Sequence, residues 1–398
     1  MRPASGCKLF GAYQALGGIQ DGVVLLHSVV GCNFGSMSLH VAQDMRDIRQ
    51  TCTVISDSDV VFSGEASLER AVRSALELFQ PSVLFVVSGC VSEMIGDDIP
   101  AVLARIPHEA PLLHVEAAGF RGDAARGLEA GWLALLPLMK PPVPRPYPRP
   151  YPRSDPRPLV NLIGLGMDDP HAADDVEALR AMLAPQAALG AVLSRCTLEE
   201  VRRAPYADVN LVLRGKGREL AQAMKEYFGI PWEELDYPYG AAGADDLWSR
   251  LERRFGLDYH QARAELDRQI AEGAGKAYRY LQALYGMPAA ILASGPRADG
   301  LRRFLEQELG MEVVCFARRE ELSDQEDFYR ELRGSEAALL FGSSFEQDGA
   351  DELEIPLIRE ICALGLAGFV MAITNGSVQI MCNAMLARYG GDLYVGIM

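Results

Sequence analysis

The chain has 398 residues, enough for two or three domains with cores of their own. Its apolar content (49%) and charged content (23%) are those of an ordinary soluble globular protein, and a formal net charge of −16 gives no electrostatic footprint for nucleic acid; the acidity serves solubility or the docking of a basic protein partner. No apolar run reaches the roughly 18–20 residues that span a bilayer, and "MRPASGCKLFGAYQALGG" lacks the continuous apolar core of a secretory signal, so a cytoplasmic location is expected.

The first section, residues 1–137, alternates loop, strand and helix. "GVVLLHSVV" (22–30) predicts a buried strand ending at Gly31-Cys32. "LERAVRSALELF" (68–79) has apolar residues at helical spacing and stops at Pro81; "SVLFVVSG" (82–89) is the next strand. "IGDDIPAVLARI" opens another helix, with Asp97 and Asp98 near its positive end, and "PLLHVEAAGF" (111–120) is again strand and loop. This rhythm predicts a parallel sheet covered on both faces, hence an α/β fold.

Residues 138–158, "LMKPPVPRPYPRPYPRSDPRP", predict an extended polyproline-type linker, with a proline-recognition motif as the lesser alternative. A second α/β domain with a helical segment follows over 159–286. It contains "PLVNLIGLG", "AVLSRCTLEEVRRAP", "ADVNLVLRGKGRELAQAMKEYFGIPW" and a helical stretch over about 246–286. A third α/β domain covers 287–398, with "PAAILASGPRADG", "EAALLFGSSF" and "LAGFVMAIT". Gly164 and Gly166 follow a strand without the third glycine of a dinucleotide fingerprint, and there is no P-loop.

Eight cysteines without a CxxC pair exclude zinc-finger and ferredoxin-type spacings. Three of them, Cys7, Cys32 and Cys90, directly follow a glycine, the latter two at or just past a predicted strand end. In one open sheet such loops meet at the same edge, and glycine lets a loop wrap a bulky inorganic ligand. Two readings stay open: an iron–sulfur site, or three half-buried packing thiols, with the repeated Gly-Cys leaning towards the former. Three thiols do not complete a four-thiolate cluster, so a fourth ligand of another type or a second subunit would be needed. Cys52, Cys196, Cys315, Cys362 and Cys382 are expected to pack.

Several motifs in order, "HSVVGCNFG", "SDVVFSGEASLERAV", "SGCVSEMIGDDI", "GFRG", "ADVNLV", "YFGIPW" and "FGSSFEQDGADELEIPLIR", resemble those of nitrogenase component 1. That family comprises molybdenum–iron protein subunits, cofactor-assembly scaffolds and nitrogenase-like reductases. The cysteine separations look like those of its β-type subunit, while "VVFSGE" and "GFRG" resemble α-type chains. The resemblance implies three Rossmann-like α/β domains with parallel sheets, and Cys7, Cys32 and Cys90 as cluster thiolates. The implied cluster is a [4Fe–4S] or larger, P-cluster-like one shared with a second subunit. It further implies a homologous α-type partner in a heterodimer or heterotetramer, with a homodimer as the alternative, and an ATP-hydrolysing iron protein that donates electrons.

Two departures bear on chemistry. Where α-type subunits carry a cofactor cysteine after the "NLV" strand, this chain has Leu213-Arg214, and no histidine follows His260. Both cofactor ligands of the family are missing. Arg214, Lys216 and Arg218 form "RGKGR", either a solvated loop or a seat for an anionic substrate. Asp97 and Asp98 are expected to be structural, and His27 a strand residue, with cluster tuning as its alternative role. The expected function is an oxidoreductase subunit passing electrons from the iron protein through the cluster to a substrate or second centre. The alternative is a metallocluster assembly scaffold without turnover.

Overall fold

The computed structural model describes residues 6–41, 49–139, 156–166, 172–193, 195–213, 215–322, 324–343 and 346–359. Most of the proline-rich segment 138–158 lies outside them, as do Arg214, Cys362, Cys382 and "LAGFVMAIT". The fold is α/β; among the described residues there are three four-stranded sheets, and the strand registers in them are parallel.

The first sheet has the order β2-β1-β3-β4, from β1 (Gly22–His27), β2 (Gln50–Cys52), β3 (Val83–Ser88) and β4 (Leu112–Glu116). Its helices are α1 (Lys8–Leu16), α2 (Val30–Val41), α3 (Asp57–Phe62), α4 (Glu65–Phe79), α5 (Cys90–Ile95), α6 (Ile99–Ala104) and α7 (Ala124–Leu133). In chain order there follow β5 (Leu159–Ile163), α8 (Ala172–Leu183), β6 (Ala188–Val192), α9 (Leu198–Arg203), β7 (Val209–Leu213), α10 (Arg218–Phe228) and β8 (Trp232–Leu235). These strands pair in the order β6-β5-β7-β8. Then come α11 (Gly240–Phe255), α12 (His260–Leu284), β9 (Pro288–Ala293), α13 (Gly295–Gln307), β10 (Glu312–Arg318), α14 (Gln325–Gly334), β11 (Leu339–Gly342), α15 (Gln347–Glu352) and β12 (Leu357–Arg359). The third sheet is ordered β10-β9-β11-β12.

The molecule divides into two compact units. One comprises residues 5–172 and 188–234, with the first two sheets; the other holds 173–187 and 235–398, with the third. In the first unit every residue of β1 and β3 is buried, as the near-continuous apolar runs of central parallel strands require. Alternate residues face two cores. Val24, Leu26, Phe85 and Val87 pack with Leu9, Tyr13 and Trp132, while Val23, Leu25, Leu84 and Val86 pack with Leu68, Val72 and Val102.

The helix α4 buries Leu68, Val72 and Ala75 on one face and ends at Gln80 in the left-handed region before Pro81. The strand predicted over 22–30 ends instead at His27, and Val30 already opens α2. Val30 is solvent-exposed, so the β-branched pair Val29-Val30 there signals surface rather than core. The predicted 95–106 helix is split. Gly96, at φ +78, closes α5, and Asp98 caps α6 by accepting the Ala101 N–H at 3.0 Å.

In the second unit Arg297 is buried with its guanidinium 4.2 Å from the centre of the Tyr237 ring and 3.1 Å from Asp175. A buried charge so placed is compensated by its pair and by the ring face.

Candidate metallocluster site

The strands of the first sheet end level. His27 of β1 lies opposite Ser88 of β3, Ser88 lies opposite Glu116 of β4, and Leu26 lies opposite Cys52 of β2. The candidate cysteines surround this carboxyl edge. Cys90 is the first residue of α5, directly after β3; Cys32 is in the first turn of α2, after β1; Cys7 is the N-cap residue of α1. All three are half-buried thiols.

Gly119, in the turn after β4, is where two of them converge. A Cβ on Gly119 would lie 3.4 Å from Cys90 Sγ, 3.8 Å from Cys7 Sγ and 3.1 Å from Cys7 Cβ. The Gly119 N–H donates to Cys90 Sγ at 3.1 Å. Cys7 is held from the other side by an antiparallel bridge to Asp123, in which Lys8 N–H donates to Gly122 O and Ala124 N–H to Gly6 O. Gly119 thus leaves a cradle beside two sulfurs, with its amide on one of them, an arrangement compatible with a thiolate-bound group.

Cys32 stands at the same edge on α2. The Phe10 ring of α1 approaches to 2.8 Å of the Cβ position of Gly35, so the two helices abut. Gln50 ties α2 to β2, its amide donating to Asn33 Oδ1 at 2.7 Å and Ser36 Oγ at 2.6 Å. Cys7, Cys32 and Cys52 pack against one core. Among the described residues no three His, Cys, Asp or Glu side chains converge as for a single metal ion.

Two further groups at this edge escape sequence reasoning. Ser28 is fully buried, and its Oγ has no hydrogen-bond partner among the described residues; it sits 2.2 Å from the Cβ position of Gly89, just before Cys90. Such an orphan is unusual in a protein interior. Its only sequence signal is the alternation Val24, Leu26, Ser28, which puts a hydroxyl on the core face. Cys52 is half-buried rather than fully packed. Its Sγ accepts the Val54 N–H at 3.3 Å and its thiol donates to Ser28 O at 3.5 Å. Burial pushes the Cys52 thiol up, and the nearby Cys32 adds to this in a minor way. Cys196 and Cys315 are core residues; burial pushes the Cys315 thiol up to about 12.

In the "RGKGR" loop, Arg218 pairs with Glu234 through two bonds of 2.5 and 2.7 Å. The Lys216 amide donates to Leu213 O. The carboxylate of Glu129, on α7, accepts the Gly217 N–H at 2.6 Å, and burial raises its pKa. An acid of this chain thus already stands at the start of α10.

His27 faces away from the cysteines, on the side of Val23 and Leu25. Its Nε2 donates to Asp97 Oδ2 at 3.0 Å, leaving Nδ1 to accept from Thr53 Oγ1 at 3.1 Å. His114 Nε2 lies 3.0 Å from Ser88 Oγ. Burial lowers the pKa of both histidines, and the pull of Asp97 on His27 only partly offsets it. The folded protein thus resists protonating them, whereas unfolded histidine takes a proton at about 6.5. Below that pH the unfolded chain binds more protons, so stability falls as pH drops, by up to about 1.4 kcal/mol per pH unit for each histidine. The urea midpoint should fall between pH 7.5 and 5.5, and His27→Gln with His114→Gln should flatten that slope. A wild-type midpoint independent of pH would refute the assignment.

No helix among the described residues is long and apolar enough to cross a membrane. The family model described as nitrogenase component 1 type oxidoreductase matches residues 7–362. Among curated proteins, the nitrogenase iron-molybdenum cofactor biosynthesis protein NifE of Methanosarcina barkeri is 29% identical, over 91% of this chain and 79% of that protein. NifE of Klebsiella pneumoniae is 28% identical, over 85% and 75%. The nitrogenase molybdenum-iron protein alpha chain of Methanothermobacter marburgensis is 25% identical, over 82% and 71%. Among solved structures, "Nitrogenase Cp1 at pH 5" superposes with a TM-score of 0.77 at 18% identity, covering 95% of this chain and 90% of that one. The chain belongs to the nitrogenase component 1 type oxidoreductase family.

Proposed function

We propose that this family member is the cluster-holding subunit of a nitrogenase-like oxidoreductase. Cys7, Cys32 and Cys90 would hold an iron–sulfur cluster, [4Fe–4S] or larger, closed by a homologous partner chain. When bound, that group supplies one-electron transfer between an ATP-hydrolysing iron protein and a substrate or second centre. The residues of this chain bind and orient it and exclude water from it. The observation that carries the reading is the meeting of Cys7 and Cys90 at Gly119, with the glycine amide on Cys90 Sγ.

The surroundings support a partner chain. Val30, Phe34 and Met37 of α2, Met94 of α5 and Phe120 beside Gly119 are all exposed; Phe34 is 75% exposed and Met94 75%. Apolar side chains gathered around half-buried thiols fit the rim of a subunit interface better than a free surface. Each of the three sheets is proposed as one domain of the family fold.

A second reading, the assembly scaffold, is favoured by the names of the NifE relatives and by Leu213-Arg214 where a cofactor cysteine would stand. Under it the same cysteines hold a precursor that is handed on.

The test is anaerobic purification with its partner, followed by iron analysis and low-temperature EPR of the wild type and Cys90→Ala. Loss of most of the iron and of the signal in the variant, with unchanged circular dichroism, is expected. Equal iron in both would sink the reading. With an iron protein and ATP, steady reductant consumption with a product marks the oxidoreductase; a transferable cluster without turnover marks the scaffold.

A further inference from the structure

We infer that Glu93 is the positioning residue of this site, the group that aims the Gly119 amide at Cys90; the inference rests on the cluster reading above. Glu93 lies one turn after Cys90 in α5, so both side chains leave the same helix face. Its side chain is only 7% exposed, and its hydrogen bonds gather on one oxygen, while Oε2 has an ion-pair contact but no hydrogen bond among the described residues. Oε1 accepts the Ala117 N–H at 2.8 Å, the Ala118 N–H at 2.9 Å and the Ser88 hydroxyl at 2.7 Å. Oε2 lies 2.8 Å from Arg121 Nε, and Arg121 also reaches Glu116 at 2.5 Å.

Three successive amides therefore point at α5. The first two end on Glu93 and the third, Gly119, ends on the Cys90 sulfur. Consecutive amides gathered in this way form a concave anion-binding backbone, and their orientations are not independent. Holding 117 and 118 on a buried carboxylate sets the direction of 119. It also keeps the Gly119 Cα beside Cys7, so the same clamp preserves the cradle between the two sulfurs. His114 completes the arrangement. Since Ser88 spends its proton on Glu93, His114 Nε2–H is the donor to Ser88 Oγ, which fixes Ser88 from behind.

An amide on a ligating sulfur withdraws charge and favours the reduced cluster, so its loss lowers the potential. The test has two arms. In cluster-free protein, hydrogen exchange of the peptide covering 117–121 should quicken at least tenfold in Glu93→Ala. In Glu93→Gln, which keeps a carbonyl oxygen for Ala117 and Ala118, it should quicken much less. In the cluster-loaded complex, the reduced-to-oxidised ratio at fixed poise should be about tenfold lower in Glu93→Ala than in Glu93→Gln, ~59 mV for a one-electron couple; both variants lack the carboxylate charge, so the difference between them reads the amide. If Glu93→Ala does not fold, Glu93→Met, apolar and of similar length, provides both readings.

Unchanged exchange in Glu93→Ala overturns the clamp. Quickened exchange in Glu93→Ala with equal potentials in Glu93→Ala and Glu93→Gln overturns the link to Cys90 and leaves Glu93 an ordinary loop tether. A wild-type chain that binds no iron at its cysteines removes the cluster reading itself, while the exchange arm still decides the clamp.

Discussion

Gly127→Ala should destabilise the protein by about 3 kcal/mol or more. The cause is the crossing of α1 and α7. A Cβ on Gly127 would lie 1.9 Å from Lys8 O and 2.7 Å from Ala12 N; one on Gly11 would lie 1.8 Å from Ala124 O. These are backbone atoms of the facing helix, which no rotamer change can move aside. Each glycine lies against the backbone of the facing helix, with Gly131 against Ala15 one turn on, and the crossing buries Leu9, Tyr13 and Trp132 in the main core. To admit a methyl group they must part by more than an ångström, and packing is lost along the whole seam.

The same movement displaces Cys7, which caps α1, so iron binding should fall with stability. Gly11→Ala should behave alike, and the double variant should cost less than the sum, because helices already parted admit the second methyl. Gly275→Ala in α12 is the control. Nothing lies within 4 Å of its Cβ position, so the helical preference for alanine should make it neutral or stabilising by about 0.5–1 kcal/mol. Denaturant midpoints measure all four. Equal midpoints for Gly127→Ala and wild type would show that the helices do not meet as described.

The same crossing shows what could and could not be read from the residues. "KLFGAYQAL" and "AARGLEAGWL" each place glycines on a helical face, but a glycine in a helix is read as a weakness until its opposite number is known. Strands β1, β3, β5, β7 and β9 were legible because central parallel strands are mostly apolar runs between turns, broken in β5 and β7 only by Asn161 and Asn210. The Thr197–Glu200 capping box of α9 joins residues three apart, a local pattern. The glycine-cysteine pairs pointed to a common sheet edge, since strand order alone carries Cys32 and Cys90 there. Gly119, Glu93 and Ser28 stayed hidden. Gly119 and Glu93 act through bonds that span 29 and 24 residues, and Ser28 through an unbonded hydroxyl that only the fold brings beside Gly89; all are residue types with many ordinary uses. Val29 and Val30 misled for a related reason: branched side chains promise a strand wherever they fall, and only the end of the neighbouring strand tells β1 to stop.

Asp97→Ala is expected to cost about 3–5 kcal/mol, because it strands a buried set of donors rather than removing a surface charge. Asp97 is 1% exposed. Oδ2 receives His27 Nε2, and Oδ1 receives the Ser63 hydroxyl and the Gly64 N–H, each at 2.9 Å. Alanine satisfies none of the three. Asp97→Asn separates charge from hydrogen bonding. Its carbonyl oxygen can still accept from Ser63 and Gly64, and its amide can donate to His27 Nε2 if the imidazole moves its proton to Nδ1 and donates to Thr53 instead. The isostere should therefore cost no more than about half as much. Ser63 sharpens the test. It is a non-glycine residue at φ +102, closing α3 before α4, and Asp97 is what holds its side chain. Releasing it should loosen the corner that carries the exposed Val61 and Phe62. Hydrogen exchange at 61–65 should then quicken in Asp97→Ala well beyond the change in Asp97→Asn. Equal destabilisation by alanine and asparagine would instead mean that the charge on Asp97, and not its three bonds, supports this edge of the sheet.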